Sequence, residues 1–388
     1  MKFVVACDSF KGCMTSQEAV QRISKGIQNA NPNHTVAAFP MCDGGEGTME
    51  ILCQIEKAQI TEVETVDAYG KPVIASYGIL PEKKKAIMEV ASCIGLSMTE
   101  KKRRNPMIAN SRGIGKMIKD ALKKGCTTIV IGLGGTATND GGMGLLQELG
   151  LRFYDKENKS LICGAYSLGK IHHIDASRLI DLDHVQILAA ADVRNPLLGP
   201  KGATFTFGRQ KGLFPSQLTM VDHWMRRYRD VMQKTFGVDL DAIPGGGAAG
   251  GIGAVLVGIL HAQMQSGITM CMEGYQLEKV IQEADIVMTG EGQTDLQTRY
   301  GKVPFGVAQL AKKYHKPVLC LSGALGLGYQ ELYQDGFDGL YASADRAMDF
   351  MTALKNGPEK LENLAFSITR TIDAIVRMET SYESVKKK

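Results

Sequence analysis

Residues 127–145, TTIVIGLGGTATNDGGMGL, constrain this chain more than any other stretch. Their opening is β-branched and apolar without alternation, which predicts a buried strand of a parallel sheet. Gly132, Gly134 and Gly135 then let the backbone turn and come close to a ligand. Asn139 or Asp140 would cap a helix whose stripe, Leu145, Leu146 and Leu149, ends at Gly150. The first N–H groups of such a helix suit a phosphate or carboxylate. A turn that only packs helix on strand would have the same local sequence. Similar turns rich in glycine and carboxylate recur at 43–48, 245–253 and 289–295, which favours the ligand reading. They follow no fixed period, so no repeat architecture is expected.

With 388 residues the chain outgrows a single hydrophobic core, and two domains are expected. Its net charge is +4, but the basic runs at 83–85, 101–104 and 386–388 lack interleaved aromatics. They read as solvated surface and a frayed tail, and no nucleic-acid partner is expected. Nine cysteines without a C-x-x-C pair suggest reduced thiols in a cytoplasmic protein. The apolar run at 3–7 is too short for a signal peptide, and 248–262 is too short and glycine-rich to span a bilayer. No membrane partner is expected.

Residues 3–7 read as a buried first strand, with Asp8, Ser9 and Lys11 in the loop at its carboxyl end, where ligands bind in open α/β sheets. Thr15 and Glu18 form a capping-box pair for a helix over 16–30, and 35–39 is a second strand, completing a βαβ unit. In the next loop Asp43 and Glu46 either bind a cation or polar substrate, or cap the helix that runs to about 57. Residues 61–80 alternate and turn at 69–72, a hairpin signal that places a domain junction near 60–65. Strands follow at 85–90 and 185–191, the latter ending in Asp192, and a helix occupies 110–125. Arg209 and Lys211 stand in a glycine-bounded turn suited to an anion. A helix at 218–236 carries Trp224, read as packing, and a glycine run at 245–251 opens an apolar helix at 252–265. The strand at 286–288 leads to Glu291 and Asp295. Strand and helix alternate again to the end, with Leu361, Leu364, Ile368 and Ile372 as the stripe of a terminal helix.

The fold class is therefore α/β: residues 1–62 plus 286–388 form one discontinuous domain, and 63–285 a second inserted α/β domain. Amide-lined glycine loops, carboxylates at strand ends and a few cations are the parts phosphoryl transfer requires. No Walker-A motif is present, and the residues alone indicate an enzyme handling an anionic small molecule. Two other readings compete. Gly132-x-Gly134-x-x-Ala137 after a strand, with Asp155 about 20 residues on, fits an NAD-dependent dehydrogenase, and a non-catalytic sugar-acid sensor would keep the same loops.

Taken together, residues 8–12, 43–48, 134–142, 192–197, 207–212, 245–251 and 289–292 resemble, in order over nearly the whole chain, the glycerate kinases of bacterial sugar-acid and glyoxylate metabolism. That resemblance implies ATP-dependent phosphorylation of D-glycerate with Mg²⁺, at the 2-hydroxyl. It also implies a flavodoxin-like, Rossmann-like parallel-sheet domain interrupted by a second α/β domain, with the active site in the interdomain cleft. Cys7 and Arg209 stand where the family often has proline, and Gln293 where arginine is expected. Residue chemistry on the matched loops makes Asp192 or Asp295 the base and Asp43, Glu46 and Glu291 the Mg²⁺ ligands. Asp8, Ser9, Lys11, Arg209 and Lys211 would meet substrate or phosphate, with Lys11 also catalytic. Gly134, Gly135, Thr136, Asn139, Asp140, Gly246 and Gly247 would receive the nucleotide. The oligomeric state is not legible in the sequence.

Overall fold

The computed structural model describes residues 1–386, so of the basic tail Lys387 and Lys388 lie outside the described residues. The chain forms two compact units, Met1–Asp43 with Ile268–Lys388, and Gly44–Gly267.

In the first unit, β1 (Lys2–Cys7) leads through helix α1 (Ser16–Ala30) to β2 (Thr35–Pro40). Thr15 Oγ1 accepts the Glu18 N–H at 3.1 Å, the expected N-cap. Strands Ile286–Gly290, Val318–Ser322 and Gly339–Ala342 then add to the other side of β1, all parallel. In order of entry the sheet runs 2-1-3-4-5, the flavodoxin-like arrangement. β1 is buried from Phe3 to Cys7 because helices cover both faces of such a sheet. Ile23 and Ile27 of α1 share a core with Phe3, Val5, Leu361 and Ile368, the last two from the expected stripe of the terminal helix Phe350–Lys386. α1 meets that helix so closely that a Cβ on Gly26 would lie 2.3 Å from the Glu362 carbonyl oxygen. Gly26→Ala is expected to cost about 2 kcal/mol of stability in urea unfolding, although alanine is the better helix former. An unchanged midpoint would show that the helices can separate freely.

The second unit opens with helix α2 (Thr48–Glu56) and a meander of β3 (Gln59–Val66), β4 (Pro72–Leu80) and β5 (Lys85–Glu89). β3 and β4 are the expected antiparallel hairpin. β5 then pairs in parallel with β6 (Thr128–Gly132), which pairs in parallel with Gln186–Ala190 and this with Gln263–Gln265. Tyr77, Met88, Ile114, Met117, Ile131, Leu145 and Phe153 lie in one core. The contact boundaries fall at 43/44 and 267/268, not at 62/63 and 285/286. α2 packs on β4, β5 and β6, which holds residues 44–62 with the second unit. The apolar helix expected over 252–265 spans only Ile252–Gly258. His261 has φ 54°, outside the helical region, and the chain continues as the edge strand Gln263–Gln265. No helix among the described residues is long and apolar enough to cross a membrane.

Candidate active site

The first unit places its functional side chains at the carboxyl ends of β1 and Ile286–Gly290. This is the point where its strand order reverses, and there open α/β sheets leave a crevice for ligands. The Asp8 N–H donates to the Gly290 carbonyl at 3.0 Å, joining the two loops. Asp8 is 6% exposed, and the Ser9 N–H donates to its Oδ1 at 2.7 Å. Burial and then the neighbouring Asp43 carboxylate push the Asp8 carboxyl up to about 8, with Lys11 opposing and Glu291 adding to the rise. Lys11 Nζ lies 3.5 Å from Asp43 Oδ2, and that carboxylate holds the ammonium above its usual range. Asp8, Ser9, Lys11, Asp43 and Glu291 are thus brought together.

Glu291 and Asp295 stand at the expected strand end, where each already has hydrogen-bond partners. Glu291 is buried; its Oε1 accepts from Thr298 at 2.6 Å and Thr294 at 3.1 Å, and Lys302 Nζ bonds Oε2 at 2.8 Å. Burial raises its pKa and Lys302 pulls it back. With these donors in place, the carboxylate holds its own loop together. Asp295 caps the short helix Leu296–Tyr300, accepting from the Gln297 N–H at 2.8 Å, and its Oδ2 accepts from Gln293 Nε2 at 3.0 Å. Gln293, where an arginine was expected, therefore orients this carboxylate.

In the second unit the carboxyl ends of β5, β6 and Gln186–Ala190 carry Glu89, the glycine turn and Asp192. Asp192 is half-buried. Glu46 is exposed and accepts from Ser97 Oγ at 3.0 Å. Neither Asp43 nor Glu46 caps α2: its N-cap is Gly47 at φ 91°, and Glu89 Oε2 takes the N–H groups of Gly47 and Met49 at 3.1 and 3.0 Å. Burial raises the Glu89 pKa and those two bonds restrain it. Glu89 was missed, yet it obeys the rule that singled out Asp192, a carboxylate ending a buried strand. Lys302, Thr294 and Thr298 were also missed. Thr298 lies in the short helix Leu296–Tyr300 and Lys302 just beyond it, and polar residues of such short segments gave no signal in the sequence.

In the glycine turn at 132–142 Asp140 takes its expected place at the helix start. Asp140 is fully buried and fills the helix start itself: it accepts from Gly142 N at 3.2 Å, Gly144 N at 3.1 Å, Ser111 N at 2.8 Å and Ser111 Oγ at 2.9 Å. The anion at these amides is the chain's own carboxylate, and the helix, Met143–Glu148, is short. Several glycines serve close backbone packing rather than an open cradle. A Cβ on Gly134 would lie 2.2 Å from Gly45 Cα, on Gly247 2.3 Å from the Pro196 oxygen, and on Gly246 3.0 Å from the Ile243 oxygen. Gly135, at φ +73°, meets nothing closer than 3.5 Å. Thr136 Oγ1 lies 3.0 Å from Thr138 Oγ1, and Asn139 Nδ2 donates to Thr204 Oγ1 at 3.0 Å while its buried Oδ1 accepts no hydrogen bond among the described residues. Lys211 is 3% exposed and donates to the Thr138 carbonyl at 2.6 Å, so it faces inward; burial lowers its pKa to about 7, with Asp140 opposing. Arg209 is exposed.

The dinucleotide reading finds no support in this geometry. Ten residues separate β6 from the next helix, Gly134 faces a backbone, and Asp155 Oδ1 accepts the N–H groups of Glu157 and Lys159 in its own turn.

A family model described as the glycerate kinase family matches residues 3–373. The chain is 39% identical over 343 residues to a glycerate 2-kinase of Escherichia coli, covering 88% of this chain and 90% of that one. It is 37% identical over 373 residues to a glycerate kinase of Bacillus subtilis, covering 96% and 98%. The crystal structure of a chain described as glycerate kinase 2 from Salmonella typhimurium LT2 matches with a TM-score of 0.80 at 36% identity, covering 97% of this chain and 99% of that one.

Proposed function

Because the chain belongs to the glycerate kinase family, we propose that it transfers the γ-phosphoryl group of ATP to the 2-hydroxyl of D-glycerate, giving ADP and 2-phosphoglycerate. It is a kinase, and neither a dehydrogenase nor a sensor is supported. The observation that carries the proposal is the meeting of a buried carboxyl, Asp8, with Lys11 and Asp43 at the reversal point of a parallel sheet, in a chain so similar to glycerate kinases.

In this reading Asp8 takes the proton of the attacking hydroxyl, a role for which its buried position and raised pKa suit it near neutral pH. Lys11 faces the charge that grows on the transferring group. Asp295 is the weaker candidate base, because both its oxygens already accept hydrogen bonds; Asp192 keeps its place among the candidate acids. Gly135 is the part of the glycine turn left for nucleotide phosphates, since Thr136 is buried with its hydroxyl against Thr138.

The residues fit Mg²⁺. Asp8 and Asp43 crowd negative charge that a cation relieves, and Mg²⁺ is commonly held by one or two carboxylates together with substrate phosphates, so a three-ligand cluster is not required. Asp43 would hold the ion, which when bound offsets the charge of the phosphate oxygens.

Incubation with ATP and D-glycerate should release ADP in proportion to glycerate, and phosphorus NMR should show the product signal split into a doublet by the single C2 proton. A triplet would assign the 3-hydroxyl instead. ADP release indifferent to glycerate would reject the substrate.

A further inference from the structure

Two of the nine cysteines form a pair whose position in the chain stands apart. Cys42 and Cys271 are both buried, with their Sγ atoms 3.1 Å apart. Cys13, Cys93 and Cys320 instead direct their thiols to carbonyl or hydroxyl oxygens. Cys42 immediately precedes Asp43, the last residue before the chain leaves the first unit, and Cys271 lies four residues past Gly267, where the chain returns. The helix Gly267–Gly274 carries Cys271, and the segment just after β2 carries Cys42. The pair therefore sits on the outgoing and returning connections of the inserted unit.

Their surroundings favour a neutral product. The Tyr275 hydroxyl, close enough that both thiols affect its ionisation, is buried and takes no hydrogen bond among the described residues, and its ring packs edge-on against Phe39 at 5.1 Å. Such an environment penalises charged or polar oxidation products, but a disulfide is uncharged and apolar. The sulfurs need to approach by only about 1 Å to reach the bonded separation of about 2.05 Å.

We propose that Cys42 and Cys271 are a redox modification site, oxidised by a small peroxide to a disulfide that ties the two inter-unit connections together. One Sγ attacks a peroxide oxygen, the O–O bond breaks, and a sulfenic acid and one water form. The second Sγ then attacks the sulfenic sulfur, the S–O bond breaks, the S–S bond forms and a second water leaves. Two thiols lose two electrons and two protons, and hydrogen peroxide gains both. Because the pair is buried, it reacts more slowly than an exposed thiol. The closed loop includes the whole second unit, so its main effect is to restrict the unfolded chain.

The test treats the full-length protein with hydrogen peroxide, alkylates remaining thiols, and maps peptides without reduction. The expected result is a Cys42–Cys271 linked peptide, a mass loss of about 2 Da for two hydrogens, and a higher thermal midpoint that dithiothreitol reverses. Cys42→Ser and Cys271→Ser should each abolish the link and the shift, and Cys271→Ser should keep the reduced protein's activity. Because the readout is the cross-link, it stands whether or not D-glycerate is the substrate. Both thiols remaining alkylatable, oxidation stopping at a sulfinic acid, or a link between other cysteines would overturn the proposal; the wild-type map decides this even if a variant fails to fold.

Discussion

Asp8→Asn is expected to lower kcat with D-glycerate by about a thousandfold while changing KM little, the signature of a lost proton acceptor. The same substitution separates chemistry from stability through pH. Folding raises the Asp8 pKa to about 8, against about 3.9 in an unfolded chain. Between these values the folded protein holds a proton that the unfolded chain has released, so stability falls as pH rises. The contribution is fully present below about pH 4 and gone above about pH 8. The asparagine side chain carries no such proton. The variant should therefore come within about 1 kcal/mol of the wild type in urea at about pH 4.5 and exceed it by on the order of 5 kcal/mol at about pH 8.5. In the wild type, kcat/KM should rise with pH along a limb below the metal-free value of about 8, because a cation on Asp43 relieves part of the repulsion that raises the Asp8 pKa. A variant with wild-type kcat would remove Asp8 as the base, and a stability gap equal at both pH values would show that its carboxyl is not perturbed.

Asp140→Ala is expected to be the most destabilising single change, by about 4 kcal/mol. It strips a fully buried carboxylate from four donors, on Ser111, Gly142 and Gly144, and leaves the buried Lys211 without the charge that favours its protonation. Urea unfolding should report the loss, and KM for ATP measured on the remaining folded fraction should stay near the wild-type value. A stable Asp140→Ala protein with a sharply raised KM for ATP would restore Asp140 to the nucleotide site.

These two residues show how far the candidate site was legible. Asp8 stands directly after an apolar run, and such a position places a side chain at the carboxyl end of a buried strand before any coordinates are known. Asp140 gave the same kind of signal, glycines and a carboxylate after a strand, and means something else: its partner Ser111 lies 29 residues away. Glu291 likewise keeps its loop position but meets Lys302. Glu89 reaches α2 across about forty residues of chain. Pattern reports where a polar side chain sits on its element, not which donor it meets.

The elements were determined by the sequence itself. The buried strands at β1, β6 and Ile286–Gly290, the Thr15 cap, the β3–β4 hairpin and the stripe of the terminal helix all follow from local periodicity and turn chemistry, which act over a few residues. Only the tertiary structure decided that residues 44–62 join the second unit, that Gly134, Gly246 and Gly247 are needed by neighbouring backbone, that Lys211 faces inward, and that Cys42 meets Cys271. Those outcomes depend on contacts between segments tens to hundreds of residues apart. A glycine loop written for a ligand and one written for another backbone are the same sequence until the neighbour arrives.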